Sequence, residues 1–150
     1  GKDFLSDYII FSRMLIDFKN KFGDSSLIES NNKFTLIGNP SESEDISHHV
    51  DNELNEISSL IAPFFQLKGP YKKRYVDKIE LIRLMGSTSL FHFSGHYIQS
   101  QNTVGWKLYK DIFDSEDVKK ISKVPDFIFA NSCGEVSFSF LKFINSFLKP

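Results

Sequence analysis

Four short apolar runs punctuate this chain, and helical periodicity fills the stretches between them. The runs are KFTLIGNP (33–40), FFQL (64–67), SLFHFSG (89–95) and DFIFANS (126–132). Gly38-Asn39-Pro40 closes the first as a strong breaker, and Gly69-Pro70 closes the second. In ISHHVDNELNEISSLIAPF (46–64) the residues Ile46, Val50, Leu54, Ile57, Leu60 and Ile61 form one stripe, with Asp45 or Ser47 as cap. KKRYVDKIELIRLM (72–85) offers Val76, Ile79, Leu81 or Ile82, and Leu84 as its buried face, and Gly86 ends it. DSEDVKKI (114–121) has Asp114 or Ser115 to cap it, acids in its first turn and lysines in its last. A further helix is expected at 4–22 and another at 137–148, while 97–109 is polar, with a short strand at 105–109. Alternation of this kind belongs to an α/β domain, a three-layer α/β/α sandwich whose mainly parallel sheet is covered on both faces. Ligands of such sheets gather at the carboxyl ends of the strands.

Length and charge narrow the function. With 150 residues the chain fits a single domain, 1–150, whose first 32 residues form a leading helix and linker. Eighteen basic residues face nineteen acidic ones, so no bulk field draws it to nucleic acid or to an anionic membrane. The basic cluster YKKRY (71–75) reads as a solvated helix start. No stretch approaches the roughly 18 apolar residues of a membrane span, and the first ten residues lack the pattern of a signal peptide. A single cysteine permits no internal disulfide and no multi-cysteine zinc site, which fits a reducing, cytoplasmic setting.

The third and fourth runs each deliver a reactive side chain, His96 and Cys133. Each follows directly after an expected parallel strand. If the strands are neighbours, about 4.8 Å apart, the two residues emerge at one sheet edge although 37 positions separate them in sequence. A thiolate is a good nucleophile, and an imidazole beside it can lower its pKa or protonate a leaving amine. Gly95 and Gly134 flank the pair and would let backbone N–H groups approach a substrate as an oxyanion hole. By themselves, a lone cysteine at a strand end is more often a small core residue and a lone histidine more often a loop residue.

LFHFSGH, then GWKLYKDIFDSEDVKKI, then VPDFIFANSC together resemble the core of a CHAT-type caspase-like peptidase, of the wider caspase, metacaspase, separase and gingipain group. His92 and His96 stand in the H-x-x-x-H pattern of that family, and the Trp-containing hairpin, short helix and cysteine-terminated strand follow in its order. FTLIGNP with the helix after it is similar to the family's first strand and helix, so the likeness spans residues 33–148. The resemblance implies a caspase-like sandwich and a bacterial cysteine endopeptidase acting on a protein substrate without cofactor or metal. Cys133 would be the nucleophile and His96 the general acid/base. The backbone N–H groups of Tyr97, Cys133 and Gly134 would form the oxyanion hole, and Asn131 would lie in the substrate pocket. His92 would be a structural strand residue. Family members sit beside repeat or sensor domains, or join a second subunit that completes the sheet, and such a partner is implied here.

Three features depart from the family pattern. Tyr97 stands where the family has Gly, with a side chain that could narrow the cleft. Asn131 stands where metacaspases place the Asp that binds a basic substrate side chain. Only 17 residues follow Cys133, whereas the family has further strands there, so a domain incomplete at its carboxyl end is expected. The first and third of these favour an alternative, a catalytically inactive caspase-like scaffold in a signalling or defence protein. Elsewhere, His49 and Glu53 share a helix face at metal-ligand spacing but lack further ligands, and read as a solvated face. Asp111 and Asp126 read as loop and strand-start residues, Trp106 as a packing anchor. Gly38-Asn39-Pro40 is no phosphate loop, so nucleotide binding is not expected.

Overall fold

β1 (Lys33–Gly38) is buried from its second residue onward, as a strand covered on both faces must be. The computed structural model describes residues 33–72, 75–100, 103–133 and 138–148, excluding the side chains of Cys133 and Phe138. The helix expected at 4–22 lies outside the described residues. β1 pairs in parallel with β2 (Gln66–Lys72) on one edge and with β3 (Leu90–Gln99) on the other. β6 (Phe127–Cys133) runs parallel to β3 on its far edge, so the parallel order is β2-β1-β3-β6. Beyond its parallel part, β3 pairs antiparallel with β4 (Val104–Lys107), which pairs with β5 (Ile112–Asp114).

The helices follow from this order. α1 (Glu44–Ile61) joins β1 to β2, and α2 (Lys78–Gly86) joins β2 to β3. The chain steps one way across the sheet in the first connection and back in the second. Right-handed crossovers then put the two helices on opposite faces. Val50 and Leu54 of α1 pack on Phe34 and Leu36. Ile37, Phe91 and Phe93 point to the other face, against Leu81, Leu84 and Met85 of α2, Val118 of α3 (Ser115–Val118) and Phe143 of α4 (Phe138–Ser146). The result is a mixed α/β fold with helices on both faces of the sheet. The reversal of direction creates a switch point at the carboxyl ends of β1 and β3. Among the described residues no helix is long and apolar enough to cross a membrane.

Gly38 sets how closely α1 lies on the sheet. A Cβ there would stand 2.1 Å from Cδ1 of Leu54 and 2.9 Å from Cγ1 of Val50, both on α1. Gly38→Ala is therefore expected to cost about 1–3 kcal/mol by overpacking, read as a lowered urea midpoint with an unchanged slope.

Several sequence-based boundaries shift. β2 extends through Gly69-Pro70 to Lys72, with a register irregularity opposite Thr35–Ile37, so Tyr71 and Lys72 are strand residues rather than a helix start. α2 begins only at Lys78, where Asp77 caps it by accepting from the Glu80 N–H. That start turns Ile79 outward, 78% exposed, and Leu60 of α1 likewise faces solvent at 71%. Ser43, not Asp45 or Ser47, occupies the N-cap position of α1. α3 ends at Val118, tightened by a reciprocal capping box between Asp114 and Asp117. Neither His96 nor Cys133 follows a strand. β3 and β6 keep pairing through both residues, so each lies within its strand.

Candidate active site

Side chains alternate along β3. Phe91, Phe93 and Tyr97 pack in the core cluster on the α2 side, and His92, Ser94 and His96 lie beneath α1. The ladder sets His92 opposite Phe129, Ser94 opposite Asn131 and His96 opposite Cys133. Parallel pairing of β3 ends at His96, and antiparallel pairing with β4 begins at Tyr97. His96 thus stands where one ladder gives way to the other, at the carboxyl end of the parallel sheet. Residues 96 and 133 share one face of the pleat on neighbouring strands, about 4.8 Å apart.

α1 lays two carboxylates over this row. Glu53 Oε2 accepts hydrogen bonds from Ser94 Oγ at 2.6 Å and Asn131 Nδ2 at 3.1 Å. Its Oε1 lies 3.0 Å from His92 Nε2. That nitrogen makes no hydrogen bond of satisfactory geometry, so the approach is a close contact and not an aligned bond. His92 is 1% exposed, its ring stacked on Phe129 at 5.2 Å. Burial alone would push the Glu53 carboxyl up. The close His92 ring and the bonds from Ser94 and Asn131 outweigh it and hold the carboxyl below the usual glutamate range.

Two helical turns earlier, Asp45 Oδ1 lies 3.4 Å from His96 Nε2. Desolvation opposes ionisation there, but the bond and charge of His96 prevail and lower the Asp45 carboxyl. The loop before α1 is held by Asn39, which takes a left-handed φ of 44° that Asn tolerates. Its backbone N–H donates to the Ser94 carbonyl at 2.8 Å. Its side chain donates to the Ser43 carbonyl at 2.7 Å and accepts from the Ser43 N–H at 3.0 Å.

Of the residues the sequence singled out, the fold brings His96, Cys133 and Asn131 to one sheet edge. Asn131 is hydrogen bonded to Glu53. Tyr97 points the other way: its ring is buried in the core, edge-on to Phe140 at 4.8 Å, and does not narrow the cleft. Gly134 and its N–H lie outside the described residues. His49 and Glu53 do not pair as ligands, and among the described residues no group of acidic, histidine or cysteine side chains could hold a metal. Glu53 is no solvated face residue, being the acceptor that joins α1 to both reactive strands. Asp111 accepts from Lys78 at 3.0 Å beside the buried Asp117, away from this face.

Sequence reasoning missed Glu53, Asp45 and Ser94. A signal for the acids exists: they are eight residues apart on a helix, and the histidines are four apart on a strand. Those spacings span about 12 Å and about 13 Å, so an antiparallel helix over a strand matches them rung for rung. No family model, no curated protein and no solved structure matches the chain.

Proposed function

We propose that this is a caspase-like cysteine endopeptidase domain of the CHAT type, with Cys133 as nucleophile and His96 as general acid and base. The observation that carries the reading is the parallel ladder in which residue 96 of β3 stands opposite residue 133 of β6. The strand order β2-β1-β3-β6, with helices on both faces, supports the sandwich that the sequence resemblance implies. The core-facing Tyr97 ring leaves the face of His96 unobstructed by that side chain, which removes one ground for the inactive scaffold.

In this reading the thiol of Cys133 gives its proton to His96, and the sulfur attacks the scissile carbonyl carbon. The tetrahedral oxyanion is met by backbone N–H groups at the strand ends. His96 returns the proton to the leaving amine as the C–N bond breaks, leaving a thioester. Water then attacks the thioester carbon as His96 takes its proton, releasing a carboxylic acid and regenerating the thiol.

An electrophilic peptide-mimetic probe tests this directly. Wild type is expected to be labelled covalently at Cys133, detected by intact mass and peptide mapping, and Cys133→Ala to show none. Equal labelling of both proteins overturns the peptidase reading.

A further inference from the structure

We infer that Asp45 is the positioning residue of His96: its carboxylate accepts the Nε2 proton of the imidazole and leaves Nδ1 to exchange a proton with the thiol of Cys133. The inference rests on the peptidase reading. It would make the site a three-membered array, with the acid supplied by the helix that follows β1.

The geometry carries it in three steps. First, Asp45 lies at the switch point created by the strand order, where the loop leaving β1 passes over the carboxyl end of β3. Second, its place is built. Asn39 binds the loop to the Ser94 carbonyl of β3 and, through its side chain, to both the N–H and the carbonyl of Ser43, two residues before Asp45. The middle of α1 is fixed to the same strand by Glu53, which bonds Ser94 and lies against His92. With the first half of the helix tied to one strand segment by its preceding loop and by Glu53, the backbone carrying Asp45 is held over His96. Third, the contact is chemically directed. Nε2 faces the carboxylate at 3.4 Å, long for a hydrogen bond, as catalytic contacts often are before substrate tightens them. A carboxylate at this nitrogen favours the tautomer with hydrogen on Nε2 and stabilises the imidazolium that forms when the thiol is deprotonated.

Among the described residues the groups facing His96 are few. Asp45 comes from α1, Cys133 occupies the opposite register position on β6, and His92 with Glu53 makes the neighbouring rung on the same face. His49, one turn on from Asp45, is exposed. Asp45 is therefore the acid whose removal His96 should feel.

The test uses Asp45→Asn, Asp45→Ala and Asp45→Glu in the full chain, with two readouts. Ring ¹⁵N–¹H spectra, assigned with His96→Gln, report the tautomer of His96 whether or not a substrate is known. The rate of labelling by the peptide-mimetic probe reports the thiol. Because 68% of the Asp45 side chain is exposed, these variants should fold. The expected result is loss of the Nε2–H preference of the His96 ring in Asp45→Asn. Asp45→Ala should label roughly ten-fold more slowly and show mixed tautomers, with Asp45→Glu recovering part of both. An unchanged tautomer in Asp45→Ala overturns the inference while leaving the peptidase reading intact. Equal labelling of wild type and Cys133→Ala overturns the peptidase reading, and with it the catalytic role of Asp45, even if the spectra shift.

Discussion

Trp106→Ala is expected to destabilise the domain by about 3–5 kcal/mol, a large share of the roughly 5–15 kcal/mol that holds a domain of this kind together. Trp106 is completely buried in the aromatic core. Its ring stacks on Phe93 at 4.3 Å and lies within 6.2 Å of Phe91, Phe113, Phe143 and Phe147. These rings come from β3, β5, α4 and the turn after it, so truncation opens a cavity between elements that cannot collapse together. One feature tempers the loss: the indole Nε1 is buried without a hydrogen-bond partner among the described residues, which already costs about 1–3 kcal/mol. Trp106→Phe should therefore cost far less than Trp106→Ala, because it keeps a stacking ring and removes the unpaired N–H. Urea unfolding followed by far-UV circular dichroism measures both, since the only tryptophan is lost in each. Equal losses in the two variants would show that the N–H has an acceptor and that stacking is not the main contribution.

The existence of the parallel strands was legible because its causes are local. Apolar runs such as FTLIG and FIFAN, closed by Gly, Pro or Asn, can hardly be anything but buried strands. The helix-by-helix return of the chain then makes neighbouring parallel strands the natural result. Strand ends were not legible, because they depend on partners. His96 stays in β3 because β6 continues alongside it and β4 takes up the next residue, and neither fact is written in SLFHFSG. The direction of Tyr97 could have been read, since period two puts it opposite His96 and level with Phe93. The acids could not be placed without knowing that α1 runs antiparallel to β3. Glu53 in isolation looks like any glutamate on a polar helix face. It becomes a site residue only when Gly38 lets α1 approach closely enough for its carboxylate to reach His92, Ser94 and Asn131.

That carboxylate gives the second large effect, and it carries a sign in pH. Removing Glu53 strips an acceptor from Ser94 and Asn131 and leaves the buried His92 without its acidic neighbour. Hydrogen bonds to a charged acceptor contribute about 1.5–3 kcal/mol, so Glu53→Ala is expected to cost about 2–3 kcal/mol at neutral pH. Glu53→Gln should lose somewhat less, because one amide oxygen can still accept from one of the two donors. The folded carboxyl titrates below its ordinary value of 4.5, so its stabilisation is fully present above that value and is lost as pH falls through the folded pKa. The stability gap between wild type and Glu53→Gln should therefore be widest at neutral pH, begin to close below about 4.5 and vanish once the wild-type carboxyl is protonated. Taking the difference cancels the other acids whose pKa values are lowered, Asp45, Glu80 and Asp117, which both proteins share. Denaturation midpoints measured down the acid range decide it: a gap that stays constant would mean that Glu53 contributes shape rather than charge. A closing gap would mean that the carboxylate itself ties α1 to the two strands that carry His96 and Cys133.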